Sequence, residues 1–136
     1  MYKKIVVPVD CGQLDKGEKI LRKAASLLDA GGEIILLTVV EDMPGYLAID
    51  LPVDVIEGAI KDGKAKLVEL KEKSAIDARV EIRSGAPARE ILAAAGEHGA
   101  DLIIVASHIP DLANYFIGAT ADRVVRHAKC SVLVDR

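Results

Sequence analysis

Three short clusters hold the residues of this chain best suited to chemistry: Asp10-Cys11-Gly12, Ser107-His108 and Gly118-Ala119-Thr120. The third suits an anion. Without a Cβ, Gly118 lets main-chain N–H groups approach a phosphate, and a helix beginning there adds a favourable dipole. Exchanging Gly118 for Val is expected to block a phosphate while leaving the ligand-free fold little changed. Ser107 and His108 offer a hydroxyl and an imidazole, but no third group is identifiable to orient the histidine, as nucleophilic catalysis requires. Neither Gly-x-x-x-x-Gly-Lys-Ser/Thr nor Gly-x-Ser-x-Gly occurs, so no phosphate loop or nucleophile elbow is present. The same residues also admit structural roles: Asp10 as cap of a first helix, His108 as a hydrogen-bonded loop residue, and His127 as a cation complementing a helix end. Cys11 and Cys130 are the only cysteines, and no CxxC or His/Cys cluster offers a metal site.

Two kinds of element must position these clusters. Val- and Ile-rich runs at Ile5–Val9, Glu33–Val40, Ala78–Arg83, Asp101–Ala106 and Ser131–Val134 predict strands. Between them, Leu21, Ala24, Ala25 and Leu28, and then Ile56, Ile60, Gly63, Leu67 and Leu70, recur at helical steps. A third helix is expected from Pro87 through Ile91, Leu92 and Ala95 to just before Gly99. A fourth should run from about Gly118–Thr120 to Ala128. Strict alternation of strand and helix predicts an α/β fold, a doubly wound five-stranded parallel sheet with helices on both faces. Strands 1, 2 and 4 are the most continuously apolar and belong in the middle. Strand 3 interleaves Arg79, Glu81 and Arg83 with Val80 and Ile82, as a charge-protected edge does. The order 3-2-1-4-5 follows, with a switch point between strands 1 and 4 and a ligand crevice at their carboxyl ends. Asp10, Ser107 and His108 all face that crevice. Cys11 and Cys130 then fall at opposite ends of the sheet, too far apart for an intramolecular disulfide. The stretch from Glu41 to Glu57, acidic and broken by Pro44, Gly45 and Pro52, is expected as a long loop over the crevice entrance.

The chain has 136 residues, 51% of them hydrophobic and 29% charged, which suits one domain over residues 1–136 with a genuine core. Aromatics are 3% and the formal charge is −3, with a pI of about 5.6. That balance argues against nucleic acid as a partner. No run is long enough to span a bilayer, and the apolar run ending at Asp10 is too short for a secretion signal. A cytoplasmic protein without membrane insertion is expected.

From Ile104 to Val134 the chain resembles the universal stress proteins of the UspA class. Ala106-Ser107-His108, Pro110-Asp111, Tyr115, Gly118, Val124 to Ala128, Cys130 and Val132-Leu133-Val134 carry the likeness. Val7-Pro8-Val9-Asp10, Leu36 to Val39 and Ser84-Gly85 extend it through the chain. The branch with a short spacer and a Ser-His-x-Pro-Asp motif is the nearest in pattern. The resemblance implies the adenine nucleotide alpha hydrolase-like fold and a stress-response regulatory protein that binds ATP or AMP, with Mg2+ as an accompanying ion. It also implies a homodimer through the last strand and a regulatory protein partner. It puts Asp10 near the ribose and Val39 beside the adenine through its main chain, with Pro8 and Val9 also in the nucleotide-binding set. Ser107, His108 and Gly118 would line the phosphate path, Thr120 could offer a hydroxyl one position past Ala119, and Ala106 and Ala119 complete the nucleotide-binding set. Ile109 and Ala119 depart from the pattern, which has Arg and Ser there. No Lys or Arg lies between Ala106 and Asp122, so a triphosphate would depend on main-chain amides and a metal ion. Weak ATP hydrolysis and a structural dimer without nucleotide are the competing functions. A phosphorelay receiver is disfavoured, because it needs an Asp where strand 3 ends in Arg83-Ser84-Gly85.

Overall fold

A computed structural model of the chain describes residues 1–41, 53–107 and 118–136. Five strands, β1 (Tyr2–Pro8), β2 (Leu28–Val40), β3 (Arg79–Ser84), β4 (Leu102–Ala106) and β5 (Ser131–Asp135), form one sheet. Every pairing is parallel and the order is β3-β2-β1-β4-β5. The described helices are α1 (Leu14–Leu27), α2 (Val53–Ser74), α3 (Pro87–His98) and α4 (Ala119–His127).

The period of two along the strands divides the core into two layers. Ile5, Val7, Ile34, Leu36, Leu102 and Ile104 point to one face, where Ile20, Leu21 and Ala24 of α1 and Leu67 and Leu70 of α2 cover them. Val6, Ile35, Leu37, Ile103 and Val105 point to the other, under Ile91 and Ala94 of α3 and Ala121 and Val124 of α4. A single crossover hand dictates this division, because the chain steps outward from β1 to β3 and then returns across to β4 and β5.

Local chemistry sets most of the boundaries. Pro87 opens α3, and Gly99 closes it in the left-handed conformation at φ 66°, ψ 40°, a geometry that favours glycine. Three expectations are corrected. β2 starts at Leu28 rather than Glu33; its ladder with β1 shifts register between Tyr2 and Lys4, and Gly31 at φ 80° absorbs the irregularity. Consequently Leu28 belongs to a strand, and α1 buries Gly17, Ile20, Leu21 and Ala24 while Ala25 is exposed. The loop expected over 41–57 is shortened, since α2 already begins at Val53; positions 42–52 of that stretch lie outside the described residues.

One residue opens the switch point. Val9 N–H donates to Leu37 O on β2 at 2.7 Å. Successive N–H groups along a strand point to alternate sides, so the N–H of residue 8 would face β4. Position 8 is proline and has no N–H to give. The β1–β4 ladder is confined to Ile5–Leu102 and Val6–Ile103, while β1–β2 pairing continues to Pro8–Leu37.

Candidate functional site

Beyond that last β1–β4 pair lies a cavity of about 300 Å³ at the carboxyl ends of the strands. Pro8, Val9 and Asp10 line it from β1 and its following loop, Val39 from β2, Ala106 from β4 and Thr120 from the first turn of α4. These six expected site residues therefore share one cavity. Ser107, Gly118 and Ala119 are not among its lining residues. His108, with the Pro110-Asp111 and Tyr115 positions, lies outside the described residues.

Asp10 is exposed. One of its oxygens, Oδ1, accepts the Gly12 N–H at 2.8 Å, and its carbonyl accepts the Gln13 N–H at 2.8 Å. The N-cap of α1 is Gln13, so Asp10 closes a turn ahead of the helix instead of capping it. Below it, buried Thr38 donates its hydroxyl to Val9 O at 2.8 Å, and the Cys11 thiol lies 3.6 Å from the same hydroxyl. This fastens the β1 end to β2. Helix α1 comes close because position 17 is glycine: a Cβ there would lie 2.6 Å from Val9 Cγ1.

Ser107 is committed to the main chain on both sides. Its N–H donates to Asp135 O at 2.8 Å, and its carbonyl accepts Lys16 Nζ at 3.1 Å. Gly118, the N-cap of α4, has φ 89° and ψ 150°, a region that side-chain-bearing residues avoid. The expectation that Gly118→Val would spare the ligand-free fold is therefore corrected: valine is strained there with or without a ligand. Among the described residues no side chain caps this helix, and the first N–H groups of a helix have no partner within it. Ala119 is exposed, and the next residue, Thr120, reaches the cavity.

The sequence reading missed the helix contributions. Gln13 at the N-cap of α1 and Lys16 within it, Asp62 and Gly63 of α2, and Pro87 and Ile91 of α3 all line the cavity, as does Glu41. Gln13 Oε1 is buried and has no hydrogen-bond partner among the described residues. Lys16 carried no signal, because an exposed lysine on a first helical turn is ordinary. Asp62 is paired with Lys66 at 3.1 Å; the bond to Asp62 holds the Lys66 ammonium above its usual range. Among the described residues no group of three His, Cys, Asp or Glu converges as metal ligands, and no helix is long and apolar enough to cross a membrane.

A doubly wound parallel sheet with its cavity at the β1/β4 switch defines a class of α/β proteins that hold ligands at the carboxyl ends of their strands. Within that class, residues 1–136 match the model of the Universal stress protein family, and the chain belongs to that family. It is 32% identical over 145 residues to Universal stress protein G of Escherichia coli O157:H7, covering 100% of both chains. The structure of the hypothetical protein MJ0577 matches with a TM-score of 0.81 at 26% identity, over 99% of this chain and 96% of that one. The universal stress protein from Archaeoglobus fulgidus in complex with dAMP matches with a TM-score of 0.69 at 22% identity, over 99% and 98%. This last likeness is one of fold.

Proposed function

We propose that the crevice binds an adenine nucleotide, ATP or AMP, and that the chain is a nucleotide-responsive regulatory protein of the stress response. The observation that carries this reading is the meeting of Asp10, Val39 and Thr120 in one cavity at the switch point, with the N-terminus of α4, which no described side chain caps, beside it. Each suits one part of the ligand. The Asp10 oxygen not used by Gly12 accepts a ribose hydroxyl, the Val39 main chain meets the adenine edge, and the Thr120 hydroxyl with the α4 amides meets phosphate. Pro8, Val9 and Ala106 supply apolar wall, while Ser107, Gly118 and Ala119 flank the phosphate path. His108 completes the proposed set. The dAMP complex of a protein with the same fold is in keeping with this reading, whose support lies in the residues of this crevice.

The finer assignments belong to the same proposal. Residues 1–136 form one domain of the short-spacer Ser-His-x-Pro-Asp branch, working in the cytoplasm as a homodimer through β5 and acting on a regulatory protein partner. Mass spectrometry of the small molecule released on denaturing the purified protein tests the central point. An adenine nucleotide in stoichiometric amount is expected. Ligand-free protein that also fails to bind adenosine, AMP or ATP in calorimetry would leave the structural dimer as the better reading.

A further inference from the structure

Among the described residues lining the crevice, three carry carboxylates, Asp10, Glu41 and Asp62, and one carries a cation, Lys16. Asp62 has its own partner in Lys66, which leaves Asp10 and Glu41 against a single ammonium. The two stretches outside the described residues, 42–52 and 108–117, contain Asp42, Asp50 and Asp111 and no Lys or Arg. Their side chains therefore add no lysine or arginine to the one already present. An ATP molecule brings three phosphate groups and about four negative charges near neutral pH, and without a divalent cation most of that charge would go unmatched.

Lys16 is built to meet one phosphate. It stands on the first turn of α1, whose approach to β1 depends on the side-chain-free Gly17. From there its ammonium bridges the switch point to the Ser107 carbonyl at the end of β4. That carbonyl is a neutral acceptor. A phosphate dianion at the same place makes a bond in which both partners are charged, shorter and stronger than the one it replaces. Resting on the nucleotide reading above, we propose that the crevice selects an adenine nucleotide with a single phosphate group, and that Lys16 exchanges the Ser107 carbonyl for that phosphate. The helix N-terminus supplies dipoles, and Lys16 supplies the one lysine or arginine charge among the described lining residues.

Calorimetry without divalent cations, using adenosine, AMP and ATP as probes, tests this on the full chain and on Lys16→Met and Lys16→Arg. The parent should bind AMP more tightly than adenosine, by a margin that shrinks as KCl is raised, and ATP no more than about threefold more tightly than AMP. Lys16→Met should weaken AMP about five- to tenfold while leaving adenosine within about twofold, which also reports that the fold is intact; Lys16→Arg should keep most of the AMP advantage. An AMP advantage unchanged in Lys16→Met, or ATP bound more than about tenfold more tightly than AMP, would overturn the assignment with the adenine reading still standing. If adenosine, AMP and ATP all fail to bind the parent, the nucleotide reading falls and this inference with it.

Discussion

At the residue scale, two positions act through what they lack. Gly17 lacks the Cβ that would collide with Val9, and Pro8 lacks the N–H that would extend the β1–β4 ladder. Gly17→Ala should destabilise the protein by about 1–3 kcal/mol through that overlap, although alanine is the better helix former. Thermal melting checks it, and a variant as stable as the parent would show that α1 can back away freely. A third position acts through what it accepts. The Asp101 carboxylate takes the Lys3 N–H at 2.9 Å and the Lys4 N–H at 3.0 Å, tying the start of β4 to β1 at the end opposite the crevice. The Lys3 N–H, more than any other group, holds the Asp101 carboxyl below its usual range. A lowered folded-state pKa means stabilisation that is complete above the ordinary carboxylate value and is lost as the pH falls through the folded one. Asp101→Ala should therefore cost about 1–2 kcal/mol at neutral pH. The gap from the parent should narrow in acid, as urea titrations across pH would reveal.

At the element scale, the final strand has one edge on β4, and β5 heads the β5 end of the sheet. Antiparallel pairing of two such edges about a two-fold axis would bury it, the proposed route to a homodimer. Leu133→Lys should give a monomer in sedimentation. Because Leu133 also packs partly against the α1 side of the core, its melting temperature should be followed in parallel; a dimer that persists in a folded variant would point to another surface. The same strand is tied to α1 through Asp135, whose carboxylate meets Lys23 at 2.6 Å and Lys19 at 3.4 Å. Lys23, with Lys19 adding to it, draws the Asp135 carboxyl below the usual range. By the sign just given, Asp135→Asn should lose about 1 kcal/mol above that range and little below it, measured by chemical unfolding at neutral and acid pH. Asp135 O also receives the Ser107 N–H, so this pair of contacts steadies the β4 end beside the crevice.

At the scale of the whole molecule, all the strands run the same way, so the loops and helix starts that follow them gather along one edge of the sheet. That is why residues as distant as Asp10, Val39 and Thr120 share a cavity. A nucleotide bound there touches β1, β2, β4 and α4 together and should raise the melting temperature of the entire domain. In the two-state limit, ligand at one hundred times its Kd adds about 2.7 kcal/mol. Calorimetric melting with and without adenosine or AMP would check this, a single shifted transition being the expected result.

The strand order, the edge position of β3 and the limits of α3 are legible in the sequence, because alternation, charge pattern and the Pro87 and Gly99 signals are local properties of the chain. Asp10 was legible for a related reason, since it follows the end of strand 1 and strand ends in a parallel sheet face the crevice; Pro8, Val9, Val39 and Ala106, which line the same cavity, entered through the family likeness, and Thr120 through the helix start after Gly118. Lys16 and Gln13 were not legible. Their types and spacing are those of any solvent-facing helical turn, and only the close seating of α1 on Val9 turns them toward the cavity. The conformation of Gly118 was likewise beyond the sequence, since a glycine permits many backbone angles and only the packed chain selects φ 89°. Local pattern determined which elements form and in what order; the distances between elements, set by packing and by one missing N–H, decided which side chains meet.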